Sequence, residues 1–173
     1  MNRSTPSNAD ASEQKLLREA LSSFATGVTV VTTATPQGRR IGLTANSFTS
    51  VSLDPPLVLW SLKKNSANLD VFRQATHFAV NVLSSRQKEL CFRFASRLEG
   101  DRFDGVALEP SRFDLPLLAD SLAQFECSAY HEYEAGDHVM FLGRVERFSK
   151  GQGDALIFSG GRLLENAPAA AAA

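Results

Sequence analysis

The sequence predicts a mainly β protein, a β-barrel with short flanking helices. Many short segments are rich in β-branched and apolar residues, and clusters of Gly, Pro, Asp and Asn separate them, which is the pattern of strands joined by turns. Only a few short segments carry apolar residues at helical spacing. Many strands with few helices favour a closed or nearly closed barrel over a parallel sheet in which strands and helices alternate.

Three segments carry apolar residues at helical spacing and are predicted to be helices. The first covers residues 12–26. A second, shorter helix begins at Asn65 or Ser66 and a third at Ser84 or Ser85, because these side chains can cap a helix N-terminus. The residues expected to face the core are Leu16, Ala20, Leu21 and Phe24 in the first helix, Leu69, Phe72 and Ala75 in the second, and Leu90, Cys91 and Phe94 in the third.

Seven segments are predicted to be strands because they are apolar or β-branched and end at turn residues. Two hairpins account for four of them, with turns at residues 36–38 and 134–137. Prolines 55 and 56 limit the strand that follows, since proline lacks an amide donor. In chain order the predicted strands are residues 28–35, 41–45, 57–62, 78–83, 125–133, 139–148 and 155–158, and the charged stretch 99–104 is predicted to be a loop.

Length and charge bound the class of protein. The chain has 173 residues and a formal net charge of -1, which fits one domain and gives no electrostatic footprint for nucleic acid or an anionic membrane surface. No apolar run reaches the roughly 18 residues of a membrane helix, and the N-terminus lacks the apolar core of a secretory signal, so we expect a cytoplasmic protein. We expect residues 1–10 to be a flexible segment, 11–166 to form the domain, and the Ala-rich residues 167–173 to be a disordered tail.

Metal and disulfide chemistry have no support in the sequence. Cys91 and Cys127 are far apart and form no Cys-x-x-Cys pair. No cluster of His, Cys, Asp or Glu has a recognisable metal spacing, so no metal is predicted. The sequence also lacks a Gly-x-Gly-x-x-Gly dinucleotide motif and a Walker loop, so a nicotinamide cofactor would have to bind on the barrel.

Residues 42–60 carry the strongest functional signal. Two apolar, strand-like ends bracket a middle that is rich in small hydroxyl and amide side chains. These offer donors and acceptors without charge, which suits a planar polar ligand such as the edge of a flavin ring. A polar sheet edge followed by a turn is the alternative, and the residues alone leave both open. The side chains concerned are Thr44, Asn46, Ser47, Thr49 and Ser50.

The segment resembles the flavin-binding stretch of the short-chain flavin reductase family. Three more segments match the family and lie in the same order along the chain, at residues 24–32, at residues 78–83 and at Gly136-Asp137-His138. Together the matches cover nearly the whole chain between Leu16 and Leu164. The resemblance implies an FMN-binding split barrel of the Greek-key type. It also implies a homodimeric NAD(P)H:flavin oxidoreductase that reduces FAD or FMN by hydride transfer and supplies reduced flavin to a separate partner monooxygenase.

The resemblance also implies a set of cofactor-binding residues. A phosphate site would follow the strand at residues 57–62, where free amides and the helix dipole favour an anion; a solvated loop with an ordinary helix cap is the alternative. Arg93 and Phe94 correspond to a basic-aromatic pair that approaches the flavin. The residues that would line the isoalloxazine ring are Thr44, Ala45, Asn46 and Ser47, and those of the phosphate site are Ser61, Lys63, Asn65 and Ser66.

Gly136, Asp137 and His138 have two interpretations. Gly and Asp are turn formers, so the residues alone favour a turn that His138 merely ends. In the family, this histidine lies at the nicotinamide and flavin site, which makes His138 the implied catalytic residue and places Gly136 and Asp137 beside the cofactor. His77 and His131 lack such support and are interpreted as structural or surface residues.

NADH is the expected hydride donor, and NADPH is less favoured. Arg39 and Arg40 could clamp the 2′-phosphate of NADPH, but a solvated turn explains them better. The family frequently has a tyrosine at the position that Phe158 occupies in this chain. Two other functions stay open: a flavin-dependent oxidase that holds FMN tightly, and a non-catalytic flavin-binding or electron-carrier protein.

Overall fold

The computed structural model describes residues 8–96 and 100–164 of the chain. Within these ranges the helices are α1 (Asn8–Ser22), α2 (Leu69–Gln74) and α3 (Lys88–Ala95), and a 3-10 turn at Ser85–Gln87 precedes α3. None of these helices is both long and apolar enough to cross a membrane. The strands are β1 (Thr26–Gly27), β2 (Thr29–Ala34), β3 (Arg40–Ala45), β4 (Thr49–Leu53), β5 (Pro56–Lys63), β6 (His77–Val82), β7 (Leu108–Glu109), β8 (Leu117–Leu118), β9 (Ala123–Ala135), β10 (His138–Lys150), β11 (Ile157–Ser159) and β12 (Arg162–Leu164).

Seven strands form one antiparallel sheet in the order β3-β2-β6-β9-β10-β5-β4. Its edge strands, β3 and β4, are consecutive in the chain and are joined by residues 46–48 alone. A link this short spans at most roughly 14 Å when fully extended, so the sheet must curl until its edges meet. Shifts in the pairing of β9 with β10 and of β4 with β5 increase the twist that this closure needs. The prediction of a mainly β barrel is confirmed.

The barrel interior is an aromatic core around Trp60. Along β5, Val58, Trp60 and Leu62 are buried while the residues between them are less so, as expected for a strand with one face inward. The Trp60 ring stacks on Phe141 with centroids 4.9 Å apart and meets the Phe72 ring edge-on at the same distance. The first contact joins β5 to β10 and the second joins β5 to α2. Both strands have an end at the candidate site.

A second apolar cluster packs α3 against the outer face of β3. Their point of closest approach is Gly42, where an added Cβ would lie 2.7 Å from the Phe94 ring and 2.9 Å from the Phe103 ring. Glycine lets these buried rings reach the strand. Cys91 and Phe94 are buried, as their helical spacing predicted, and Phe158 packs against the same cluster.

The first helix differs from its prediction in both bounds and environment. It covers Asn8–Ser22 instead of residues 12–26, so the domain boundary predicted after residue 10 falls inside it. The helix ends early because Thr26 and Gly27 pair with β11, and because the Ser22 hydroxyl donates to the Glu19 carbonyl, a bond that competes with helix continuation. Its apolar side chains were expected to face the core, but Leu16 is 66% exposed and the nearby Phe24 78%. The predicted tail, 167–173, lies outside the described residues.

The seven predicted strands are all present, each with ends within two residues of the prediction, whereas the second helix begins later than predicted. Residues 64–68 form turns before α2, in which the Ser66 amide donates to the Lys63 carbonyl and the Ser66 hydroxyl accepts from the Asn68 amide. These local bonds replace the predicted cap by Asn65 or Ser66. Ser84 does begin the 3-10 turn before α3, and its amide donates to Oε1 of Gln87 at 3.0 Å.

Candidate functional site

A cleft of about 1140 Å³ lies where β3, β5 and β10 meet α3 and the turns before α2. Ten of the thirteen residues predicted for the site line this cleft, although they come from four separate parts of the chain. The order of strands in the sheet brings them together. The ten residues are Thr44, Ala45, Asn46, Ser47, Ser61, Lys63, Asn65, Ser66, Phe94 and His138.

The link between β3 and β4 forms one side of the cleft, and a serine fastens it to β5. The Ser47 hydroxyl accepts a hydrogen bond from the Ser61 amide at 2.9 Å and donates to the Ser61 carbonyl at 3.2 Å. The Ser47 side chain thus makes the hydrogen bonds to β5 that the backbone of a neighbouring strand would otherwise make. It holds the link between the edge strands β3 and β4 against β5 and so helps to close the barrel. The single hydrogen of the Ser47 hydroxyl is therefore used within the protein.

Thr44 is used in a similar way, whereas Asn46 is not. The Thr44 hydroxyl donates to the Cys91 carbonyl at 2.7 Å and so ties β3 to α3. Asn46 is exposed, and its amide group has no hydrogen-bond partner within the described ranges. Of the small polar side chains expected to line the ring, Thr44 and Ser47 therefore also hold the scaffold together, whereas Asn46 is free among the described residues.

The turns at residues 64–68 form the opposite side, next to Lys63 at the end of β5. Lys63 is exposed, and its ammonium group has no ion-pair partner in the part of the chain that the structure describes. The backbone amides of Asn65 and Ala67 also lack an acceptor in that part of the chain. By contrast, hydrogen bonds are made by the neighbouring amides of Lys64, Ser66, Asn68 and Leu69. One cationic side chain and two free amides thus lie beside each other at the cleft.

His138 enters the cleft from the first residue of β10. Gly136, with φ of 59°, makes the tight turn between β9 and β10, and the backbone of His138 pairs with Lys63. Gly136 and Asp137 lie at the hairpin tip and do not line the cleft. Asp137 contacts it indirectly, because its Oδ1 lies 2.7 Å from Nδ1 of His138. His77 and His131 do not line this cleft either.

Arg93 does not lie where the sequence led us to expect. It lines a different depression, and its guanidinium donates to the Asp104 carbonyl at 2.9 Å. Arg102 lines the cleft instead and donates to the carbonyls of Gly42 and Ser96, at 3.2 and 2.6 Å. The chain contains four Arg-Phe pairs, and the sequence alone does not distinguish the arginine that reaches the site. The pairs begin at Arg93, Arg102, Arg112 and Arg147.

The charges around the cleft are of one sign. The cations Lys63 and Arg102 line it, and no carboxylate does so within the described residues. Asp137 stands just outside, and the hydrogen bond with His138 holds the pKa of this carboxyl below its usual range. Burial raises the pKa of the Cys91 thiol behind the cleft, which keeps it neutral. The site therefore offers neutral and cationic donors to a ligand that carries negative charge.

The paired arginines at residues 39 and 40 lie outside this cleft. Arg40 forms an ion pair with Asp101 at 2.6 Å, and its guanidinium lies 5.3 Å from the centroid of the Phe103 ring. A backbone hydrogen bond from Phe103, and after it the contact with Arg40, lowers the pKa of Asp101. Arg40 is therefore neutralised by a partner of its own.

The structure defines an antiparallel β-barrel with a cleft rich in hydrogen-bond donors. Comparison with known proteins gives its family. The model of the flavin reductase like domain matches residues 21–166. The chain belongs to this family. The prediction of the family and of the split-barrel fold is confirmed.

Individual relatives agree with this assignment. The chain is 49% identical over 144 residues to the FMN reductase (NADH) SmoA of Agrobacterium fabrum, which covers 83% of this chain and 81% of SmoA. It is 47% identical to the reductase component of the flavin-dependent trigonelline monooxygenase of Acinetobacter baylyi, covering 77% of this chain but only 43% of that protein. The solved structure of the NADH:FAD oxidoreductase SgcE6 of Streptomyces globisporus, in complex with NAD and FAD fragments, superposes with a TM-score of 0.86 at 39% identity, covering 93% of this chain and 97% of that one.

Proposed function

We propose that this protein is an NADH:flavin oxidoreductase that supplies reduced flavin to a separate monooxygenase. The observation that carries the proposal is the cleft itself, in which the predicted flavin stretch, the turns after β5 and His138 meet, and none of the described residues that line it is a carboxylate. A flavin nucleotide combines a neutral, polar ring with a phosphate, and the two sides of the cleft differ in the corresponding way. When bound, the flavin supplies the acceptor for the hydride of NADH.

Each side of the cleft has a distinct proposed role. Asn46 and the backbone around Ala45 and Ser47 donate to the ring edge where negative charge grows on reduction. Lys63 and the free amides of Asn65 and Ala67 bind the phosphate. Phe94 and Ser61 shape the walls between them. His138 orients the nicotinamide.

One contact and one position favour NADH over NADPH as the hydride donor. The 2′-phosphate of NADPH needs a free cation, but Arg40 is paired with Asp101. Arg39 is exposed at the turn before β3, outside the cleft. We therefore propose that the enzyme prefers NADH.

The exposed apolar residues of the N-terminal segment support a homodimer. Leu16, Leu17, Leu21 and Phe24 are all at least 58% exposed, and apolar side chains clustered on one element commonly mark a protein interface. We propose that the chain forms one domain, which includes the whole of α1, and that this domain pairs with a second copy of itself. We also propose a cytoplasmic location, because both cysteines are free thiols, as is usual in that reducing compartment.

Consumption of NADH tests the proposed function. We expect the purified protein to oxidise NADH faster when free FMN, FAD or riboflavin is added, and to oxidise NADPH more slowly. A flavin-dependent oxidase would retain its FMN through purification and would not respond to free flavin. A carrier protein would bind flavin without consuming NADH. Either result would contradict the proposal.

A further inference from the structure

His138 is held by its neighbour in sequence. Its Nδ1 lies 2.7 Å from Oδ1 of Asp137, and its backbone pairs with Lys63 on β5 and with Ala135 on β9. The Asp137 backbone is held as well, because its carbonyl accepts from the Lys64 amide at 2.9 Å. His138 lines the cleft and Asp137 does not. The Nδ1 edge of the imidazole therefore faces the rim, and Nε2 is the ring nitrogen left for the cleft.

The charge of Asp137 decides which ring nitrogen carries the hydrogen. The hydrogen bond with His138 lowers the pKa of Asp137, so this carboxyl is ionised at neutral pH. An ionised carboxylate can only accept hydrogen bonds, so Nδ1 must be the donor. In a neutral imidazole one nitrogen donates and the other accepts. Nε2 is then an acceptor, and within the described residues it has no partner.

The ligands of this site differ in what they can offer such an acceptor. A nicotinamide ring carries a carboxamide whose NH₂ group has two donors, whereas the edge of an oxidised flavin ring consists mainly of acceptors. Lys63 and Arg102, the cations that line the same cleft, are donors only and cannot accept from an NH₂ group. The carboxamide NH₂ group therefore offers Nε2 a matching donor.

We propose that Asp137 is a positioning residue, which fixes His138 in the tautomer with its hydrogen on Nδ1 so that Nε2 accepts a hydrogen bond from the nicotinamide carboxamide. This inference rests on the proposed function, because it requires a nicotinamide dinucleotide in this cleft. It gives Asp137, at the exposed tip of the hairpin, a role in recognising the hydride donor.

The tautomer can be observed directly. Long-range ¹⁵N–¹H NMR spectra at pH 9, where imidazole groups are neutral, distinguish the two forms, and His138→Ala identifies the signals. We expect the Nδ1–H form in the wild type and in Asp137→Asn, whose amide oxygen also accepts, and a shift to the Nε2–H form in Asp137→Ala. Asp154→Ala, at an exposed aspartate whose side chain makes no hydrogen bond with described residues, is the matched control. A wild-type His138 with its hydrogen on Nε2 would overturn the proposal.

Binding of two oxidised dinucleotides tests the carboxamide contact. NAD⁺ is compared by titration calorimetry with its 3-acetylpyridine analogue, in which a methyl group replaces the carboxamide NH₂. We expect the wild type to bind NAD⁺ about 2- to 10-fold more tightly, the range of one hydrogen bond. The ratio of the two affinities should fall towards one in Asp137→Ala and in His138→Ala, and Asp137→Asn should retain it. Comparing ratios between variants removes any intrinsic difference between the two ligands.

The outcomes separate this inference from the proposed function. Flavin-stimulated oxidation of NADH is measured on the same preparations. Normal oxidation with an affinity ratio that Asp137→Ala leaves unchanged would overturn the role of Asp137 alone. Absence of both NADH oxidation and NAD⁺ binding would overturn the proposed function and this inference with it.

Discussion

The two sides of the cleft use their polar groups in opposite ways. On the side of residues 44–47, the hydroxyls of Thr44 and Ser47 are bonded to the backbone of Cys91 and Ser61. On the side of residues 63–68, the Lys63 ammonium and two backbone amides have no partner within the described ranges. Apart from Asn46, whose amide group has no partner among the described residues, the side chains of the first side serve the scaffold, whereas the groups of the second side are available to a ligand. A substitution on the first should therefore affect folding, and one on the second should affect ligand affinity.

The largest expected effect is on the scaffold side, at Gly42. Gly42→Ala places a Cβ against the buried Phe94 and Phe103 rings, so we expect the free energy of unfolding to fall by about 1–3 kcal/mol. Gly27→Ala is the matched control, because an added Cβ there meets nothing within 4 Å. Urea denaturation measures both. Equal stability of the two variants would mean that α3 does not depend on this close approach.

Ser47→Ala should show that the serine stabilises the barrel closure. The variant leaves the partly buried Ser61 amide without its acceptor, which should cost about 1–2 kcal/mol of unfolding free energy. Ser50→Ala removes a hydroxyl with no hydrogen bond among the described residues and serves as the control. If Ser47→Ala unfolds like the wild type but loses flavin affinity, the hydroxyl belongs to the ligand site and not to the scaffold.

On the open side, Lys63→Met should weaken binding of FMN and spare riboflavin, which has no phosphate. A single exposed cation gives a modest effect, about 2- to 10-fold in dissociation constant, that declines at high salt. Lys64→Met is the control, since the Lys64 ammonium already pairs with Glu134 at 2.8 Å. Flavin fluorescence titrations give all the affinities. An equal loss for FMN and riboflavin would place the phosphate elsewhere.

The smallest expected effect concerns the ion pairs that brace the hairpin end. The pKa of Glu134 is lowered by hydrogen bonds, mainly from Lys64 and next from Arg73. The ion pairs of Glu134 therefore stabilise the protein above the ordinary pKa of a glutamate, and this stabilisation is lost as the pH falls through the lowered pKa. The melting temperature of Glu134→Gln should therefore lie slightly below that of the wild type at pH 7, and the difference should vanish in acid. Glu109→Gln, at an exposed glutamate without an ion pair in the described ranges, should show no such difference. A difference in melting temperature between Glu134→Gln and the wild type that grows in acid would contradict this prediction.

The sequence predicted the strands well because their signal is local. Alternating β-branched residues and Gly or Pro turns mark β2, β3, β5 and β6 without reference to the rest of the chain. β4 was missed because its Thr and Ser side chains lie at a sheet edge, where the apolar pattern is weak. The cleft was predicted through the family resemblance, since nothing in residues 44–47 alone distinguishes a ligand site from a polar sheet edge.

What the sequence could not predict depends on packing between distant segments. Thr44 and Ser47 look like free polar groups until Cys91 and Ser61 are brought beside them. Arg102 and Arg93 belong to identical Arg-Phe pairs, and they differ in the carbonyls that their guanidinium groups reach, Asp104 for Arg93 and Gly42 with Ser96 for Arg102. The helical period at the N-terminus predicted a buried face, but the period alone does not say what covers that face.

A structure of the protein with FMN tests most directly whether the cleft is the flavin site. We expect the ring against residues 44–47 and the phosphate within hydrogen-bond distance of Lys63 and the amides of Asn65 and Ala67. A flavin bound instead in the depression beside Arg39 and Phe103, or in the one beside His77 and Phe113, would contradict it. So would a phosphate that points away from Lys63 with the ring still in the cleft.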